Sequence, residues 1–194
     1  MANTTGYMGF KHIGFLPGYA PDYQLQSKKV SSGNATAIYR GDPVTFSTGF
    51  LIAADAAASA KVDGIFDGCT YIDASGNTKW QSYLPASQAG TAYVIAAPGA
   101  LFLGQASNTA ITSAQINSNI GYVAGTGQTT GGQFSLYTLD SAKIGTTATY
   151  PFRIVNLLSA YDPSAVNGTD DTSNYNMAVV TFNNVDFKAG QTGN

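Results

Sequence analysis

The side chains able to do nucleophilic or acid–base chemistry are few, and their spacing argues against an active site. His12 is the only histidine and Cys69 the only cysteine. A Ser-His-Asp or Cys-His system needs nucleophile and base within hydrogen-bond reach. His12 sits in a stretch broken by glycine and proline, so that stretch would have to fold over a distant nucleophile. Cys69 falls at an inward position of a strand pattern, where cysteine is usually a small buried hydrophobe. Asp63, Asp67 and Asp73 could supply a glycosidase's carboxylate pair. Their spacings of four and six place them on one side of an unbulged strand, which more simply describes its solvated face. Asp162, Asn167, Asp170 and Asp171 gather hard oxygen ligands in one loop, as a Ca²⁺ site would, but EF-hand spacing is absent and the chain contains no Glu to bind bidentately. Residues 125–132, GTGQTTGG, lack the Lys and following helix of a phosphate loop and read as a strand connection. The expectation is a protein without catalytic residues, cofactor or metal.

Arg40-Gly41-Asp42 has the composition of a cell-adhesion tripeptide. Followed by Pro43 and flanked by the β-rich runs 37–39 and 44–46, it reads instead as a turn, since Pro fixes φ and Gly and Asp favour tight corners.

The elements that must position these residues are strands. The 194 residues suit one domain built around a single core. Only 10% are charged, against about 25% in an average domain, so Ser, Thr, Asn, Gln and Gly must cover the surface. Without Glu and with 22 Gly, the chain is poorly supplied for exposed helices. A net charge of −2 and few basic residues argue against nucleic-acid binding. The first residues lack the n- and h-regions of a secretory leader, and no apolar run could span a bilayer, so neither secretion nor a membrane is expected. The N-x-[ST] matches at Asn3, Asn34 and Asn167 then carry little meaning.

Residues 1–30 scatter Tyr7, Phe10, Phe15, Tyr19 and Tyr23 among glycines and prolines with no period. They read as an extended arm whose rings are to be buried on a neighbouring chain. From residue 31 to 188, short apolar runs broken by turn residues predict one β domain, a barrel or jelly-roll-like sandwich, with 189–194 as a flexible tail. The clearest hairpin is 65–83, reversing at Asp73–Asn77, with Val62, Ile65, Cys69 and Tyr71 facing inward. Further strands are expected at 50–52, 92–96, 101–105, 120–124, 133–138, 152–158 and 177–183. Helix is expected to be scarce: 55–60 is short and Ala-rich, Thr112 caps a turn or two through Asn117, and 162–176 reads as an exposed loop.

Five segments together carry a family resemblance: MANTTGYMGFKHIGFLPG, NATAIYRGDPV, GIFDGCTYIDASGNTKWQSYLPA, AYVIAAPGALFLGQA and TTATYPFRIVNLL. In that order, from Met1 to about Phe182, the chain resembles the head decoration, or cement, proteins of tailed bacteriophages, encoded beside the major capsid protein. The resemblance implies a structural virion protein, made in the bacterial cytoplasm, that binds the outer surface of the capsid. Its partners would be the major capsid protein and further copies of itself, as a dimer or trimer. The arm residues Tyr7, Phe10, Phe15, Tyr19 and Tyr23 would make the contacts. The alternatives are another virion component, a head fibre base or tail protein, or a calcium-dependent carbohydrate-binding module stacking sugars on Trp80, Tyr83 and Tyr71.

Overall fold

The computed structural model describes residues 3–6, 8–55, 61–128, 134–158, 172–185, 190 and 193. Within them the chain is all-β. In order come β1 (Lys11–Phe15), β2 (Gln26–Val30), β3 (Ile38–Tyr39), β4 (Pro43–Ser47), β5 (Phe50–Ala53), β6 (Gly64–Ile72) and β7 (Thr78–Gln81). Then follow β8 (Tyr83–Leu84), β9 (Gly90–Ile95), β10 (Ala100–Gln105), a 3-10 turn (Ser113–Gln115), β11 (Asn119–Val123), β12 (Thr138–Gly145), β13 (Phe152–Leu158) and β14 (Met177–Phe182). Three sheets result, ordered β1-β10-β14-β13-β11-β12, β2-β9-β6-β4-β5 with β7 also on β6, and β3-β8.

The hairpin expected over 65–83 forms, Cys69 facing Gln81 and Ile72 facing Thr78. Its reversal is held by Asp73 Oδ1, which accepts the N–H groups of Ser75 and Asn77, both at 2.9 Å. These are the local bonds that make Asp a turn former. At the 3-10 turn, Gln115 Oε1 accepts the Thr112 N–H at 2.7 Å, half of a capping box. The strand expected at 133–138 begins only at Thr138; before it, Phe134 makes an isolated bridge to Arg40.

Two apolar clusters replace the expected single core. The first is built around the row Phe102, Val180 and Ile154, paired across three strands of the first sheet, and includes Phe10, Phe152, Phe182, Val62 and Ile65. The second gathers Ile38, Val44, Leu51, Phe66, Cys69, Leu84 and Val94. Both touch β6, because neighbours on a strand point to opposite faces: Ile65 enters the first and Phe66 the second. Phe66 and Cys69 would then oppose each other in a regular strand. A bulge between Phe66 and Gly68 re-phases β6 so that both serve the second cluster, with Tyr71 packed against it. The inward set Val62, Ile65, Cys69 and Tyr71 therefore divides between two cores.

The leader, residues 1–30, expected as an extended arm lying on a neighbouring chain, contributes two strands to this chain's own sheets. β1 pairs antiparallel with β10 and forms one edge of the first sheet. β2 pairs with β9 along all five of its residues and forms one edge of the second. Phe10 is 2% exposed and stacks on Phe152 with centroids 4.5 Å apart. The lack of a period in 1–30 came from reading two short edge strands and their crossing loop as one segment.

Candidate functional site

Arg40-Gly41-Asp42 is a junction inside the fold. Asp42 is 1% exposed, and its Oδ2 accepts the Tyr39 N–H at 2.8 Å. Gly41 donates to the Phe66 carbonyl at 2.8 Å, and its own carbonyl accepts the Phe10 N–H at 2.9 Å. Ser135 donates to the Arg40 carbonyl at 3.3 Å. Leader, β6 and the segment entering β12 thus meet on one tripeptide. The approach is too close for side chains: a Cβ on Gly9, at φ +60°, would lie 2.3 Å from Ser135 Cβ, and Gly41 has φ +93°. Burial pushes the Asp42 carboxyl up to about 7, although the Ser135 hydroxyl and the Tyr39 N–H favour its anion. Arg40 turns outward, its Nη2 2.8 Å and Nε 2.9 Å from Asp67 Oδ1. An adhesion ligand must present its aspartate to solvent, and this one is enclosed.

The five leader rings divide. Phe10 belongs to the core and Phe15 packs partly against it. Tyr19 is 48% and Tyr23 77% exposed, and Tyr7 lies outside the described residues. Tyr23 meets Phe15 edge-on at 5.5 Å. Ile13 and Leu25, two residues that composition alone did not single out, are also exposed, so the apolar surface of residues 13–25 is wider than its aromatics. Among the described residues β1 has no strand on its outer side, and β2 has no ladder on its outer side, although it lies close to β5 there.

The other candidates are dispersed. His12 stands opposite Phe102 on β10, its ring edge-on to Phe15 and Phe102 at 5.0 and 5.7 Å, and its Nε2 is buried without a hydrogen-bond partner among the described residues. Among the described residues no serine or cysteine is hydrogen-bonded to it as a nucleophile would be. Cys69 is fully buried beside the Tyr83 carbonyl at 3.2 Å, and burial pushes its thiol up to about 11. The three hairpin aspartates do not share a solvated face, because the bulge interrupts the strand. Asp63 is buried ahead of it, Asp67 at the bulge holds Arg40, and Asp73 closes the turn. Backbone N–H groups of Asn77 and Ser75 and the Lys79 ammonium hold the Asp73 carboxyl below its ordinary range.

The sugar-stacking trio is also divided. Trp80, 65% exposed, lies against Tyr93 at 4.6 Å. Tyr71 packs on the second core, its hydroxyl donating to Gln81 Oε1 at 3.0 Å, while Tyr83 stacks on Tyr39 at 5.8 Å. Trp80 pairs with Thr70, whose neighbours in register are on the face opposite Cys69, so Trp80 and Tyr71 point away from each other. The Asp-rich loop residues Asp162, Asn167, Asp170 and Asp171 lie outside the described residues. Among the described residues no group of three His, Cys, Asp or Glu could hold a metal, and no helix is long and apolar enough to cross a membrane.

Compared with known proteins, the chain matches no family model, no curated protein and no solved structure.

Proposed function

We propose that this chain is a structural virion protein that coats the outer surface of a phage capsid and stabilises it, with the major capsid protein and further copies of itself as partners. The observation that carries the reading is the run of exposed apolar side chains at Ile13, Tyr19, Tyr23 and Leu25, next to the β1 edge, which has no further strand among the described residues. Rings and branched chains on such a surface supply buried contact at modest entropy cost, and an open edge can pair with a neighbour's strand. The low charge of the chain suits close packing of many copies. In architecture, we read the first sheet as curling towards a barrel and the two large sheets as a jelly-roll-like pair. A single parallel bridge, Ala106 to Leu139, reaching from the end of β10 to β12, supports the curl.

Removing residues 1–24 would not test this, because it would take Phe10 and β1 out of the fold. The test is co-sedimentation of the purified chain with expanded capsids of its own virus, comparing wild type with Ile13→Ser/Tyr19→Ser. Stable binding by the wild type, weakened at least about tenfold in the double variant, is expected from the loss of two interface anchors. A wild type that does not sediment with capsids ends the proposal, and a double variant that binds as well as wild type ends the role of the leader.

A further inference from the structure

The Arg40 corner and the leader enclose a cleft of about 550 Å³ that shares Tyr23 and Leu25 with the surface proposed for capsid contact. Phe10, Ile65 and Phe66 lie at its base but are buried, so the apolar surface it offers a guest comes from Tyr23, Leu25 and Phe134. Tyr23 and Phe134 line it with rings largely open to solvent. Around them stand Lys11, His12, Asp22, Gln24, Arg40 and Asp67. The volume falls within the range of small-molecule sites, roughly 300–1,000 Å³, and the mixture of an apolar bed with a few polar groups is typical of them.

Charge selects the class of ligand. Two cationic and two anionic side chains line the cleft, and they are already engaged in part: Asp67 holds Arg40 at 2.8 Å and Asp22 Oδ1 accepts the Gln24 N–H at 2.9 Å. Neither an anion nor a cation gains a net attraction. A purely apolar guest would strip water from the surrounding polar groups without replacing its hydrogen bonds, which costs free energy. The guest that satisfies both surfaces is neutral, has C–H faces to lie on aromatic rings, and carries hydroxyls at its edge. Guanidinium, carboxylate and amide groups offer donors and acceptors in planar pairs, which match adjacent hydroxyls.

We infer that this cleft is a carbohydrate-binding site for about one or two neutral sugar rings, with Tyr23 and Phe134 as stacking surfaces and Arg40, Asp67, Asp22 and Gln24 as hydroxyl partners. It requires no calcium and does not include Trp80. Tyr23 belongs to both readings, but the isolated chain carries the whole sugar site, so the two are tested separately.

Saturation-transfer NMR on the full chain tests it, with methyl α-glucoside, methyl β-galactoside, methyl α-mannoside and N-acetylglucosamine as probes in the presence of a chelator. Transfer to at least one probe is expected. Tyr23→Ala/Phe134→Ala, two exposed positions, should melt like wild type and bind that probe at least about tenfold more weakly. Trp80→Ala should bind it as wild type does. No transfer to any of the four overturns the inference, as does binding that survives the double variant or that is lost in Trp80→Ala. No capsid enters the assay, so its failure is separate from failure of the virion role.

Discussion

Phe10→Ala separates a leader that is part of the core from an arm that only rests on a partner. Phe10 is 2% exposed, belongs to the first cluster, and lies on Phe152 with planes 19° apart. Truncating a buried Phe to Ala costs about 3–5 kcal/mol, the sum of lost transfer energy and the cavity left behind. The stacked pair accounts for about 0.5–1.5 kcal/mol of that. In a domain of this size such a loss lowers Tm by roughly 10 °C. Urea denaturation of the isolated chain, followed by Trp80 fluorescence and far-UV circular dichroism, measures it. Tyr23→Ala, at a position 77% exposed, is the control and should stay within about 0.5 kcal/mol of wild type. A cost for Phe10→Ala below about 1 kcal/mol would refute the placement of the leader, because no fully packed ring is lost so cheaply.

Two further outcomes are expected. Because burial raises Asp42 to about 7 in the folded chain against 3.8 for the free carboxyl, the folded state holds a proton that the unfolded state has released between those values. Its stabilising effect is therefore complete below pH 3.8 and is lost as pH rises towards 7, at up to about 1.4 kcal/mol per pH unit. Asp42→Asn should flatten the dependence of Tm on pH in that window, and identical wild-type and variant profiles would contradict it. Cys69, buried and with its thiol raised to about 11, should resist thiol reagents in the native state and react at the rate of unfolding. Fast labelling without unfolding would mean that the second core opens locally.

Much of the architecture is legible along the chain because it depends on local chemistry. The reversal at Asp73–Asn77 needs only Asp and Gly at their positions, and the strands near 92–96, 101–105, 152–158 and 177–183 announce themselves by apolar runs between turn residues. β12 was missed because its polar sequence, TLDSAKIG, has one buried residue, Leu139, and is held chiefly by pairing with β11. Tyr93, the ring beneath Trp80, was invisible for a related reason: the two rings sit on strands that each pair with β6 and not with one another, and only the register on β6 brings them together.

By itself, the sequence determined that this chain forms short strands around apolar rows, that Gly41-Asp42-Pro43 turns a corner, and that its lone His and Cys stand apart. Those properties follow from side-chain volume, backbone freedom and charge, which each residue carries wherever it lies. The tertiary structure alone decided that Asp42 is enclosed while Arg40 faces out, that Phe10 is core while Tyr23 is surface, and that one bulge in β6 divides a strand between two cores. Each of these depends on which distant segment supplies the neighbour, and no local pattern records the neighbour's identity.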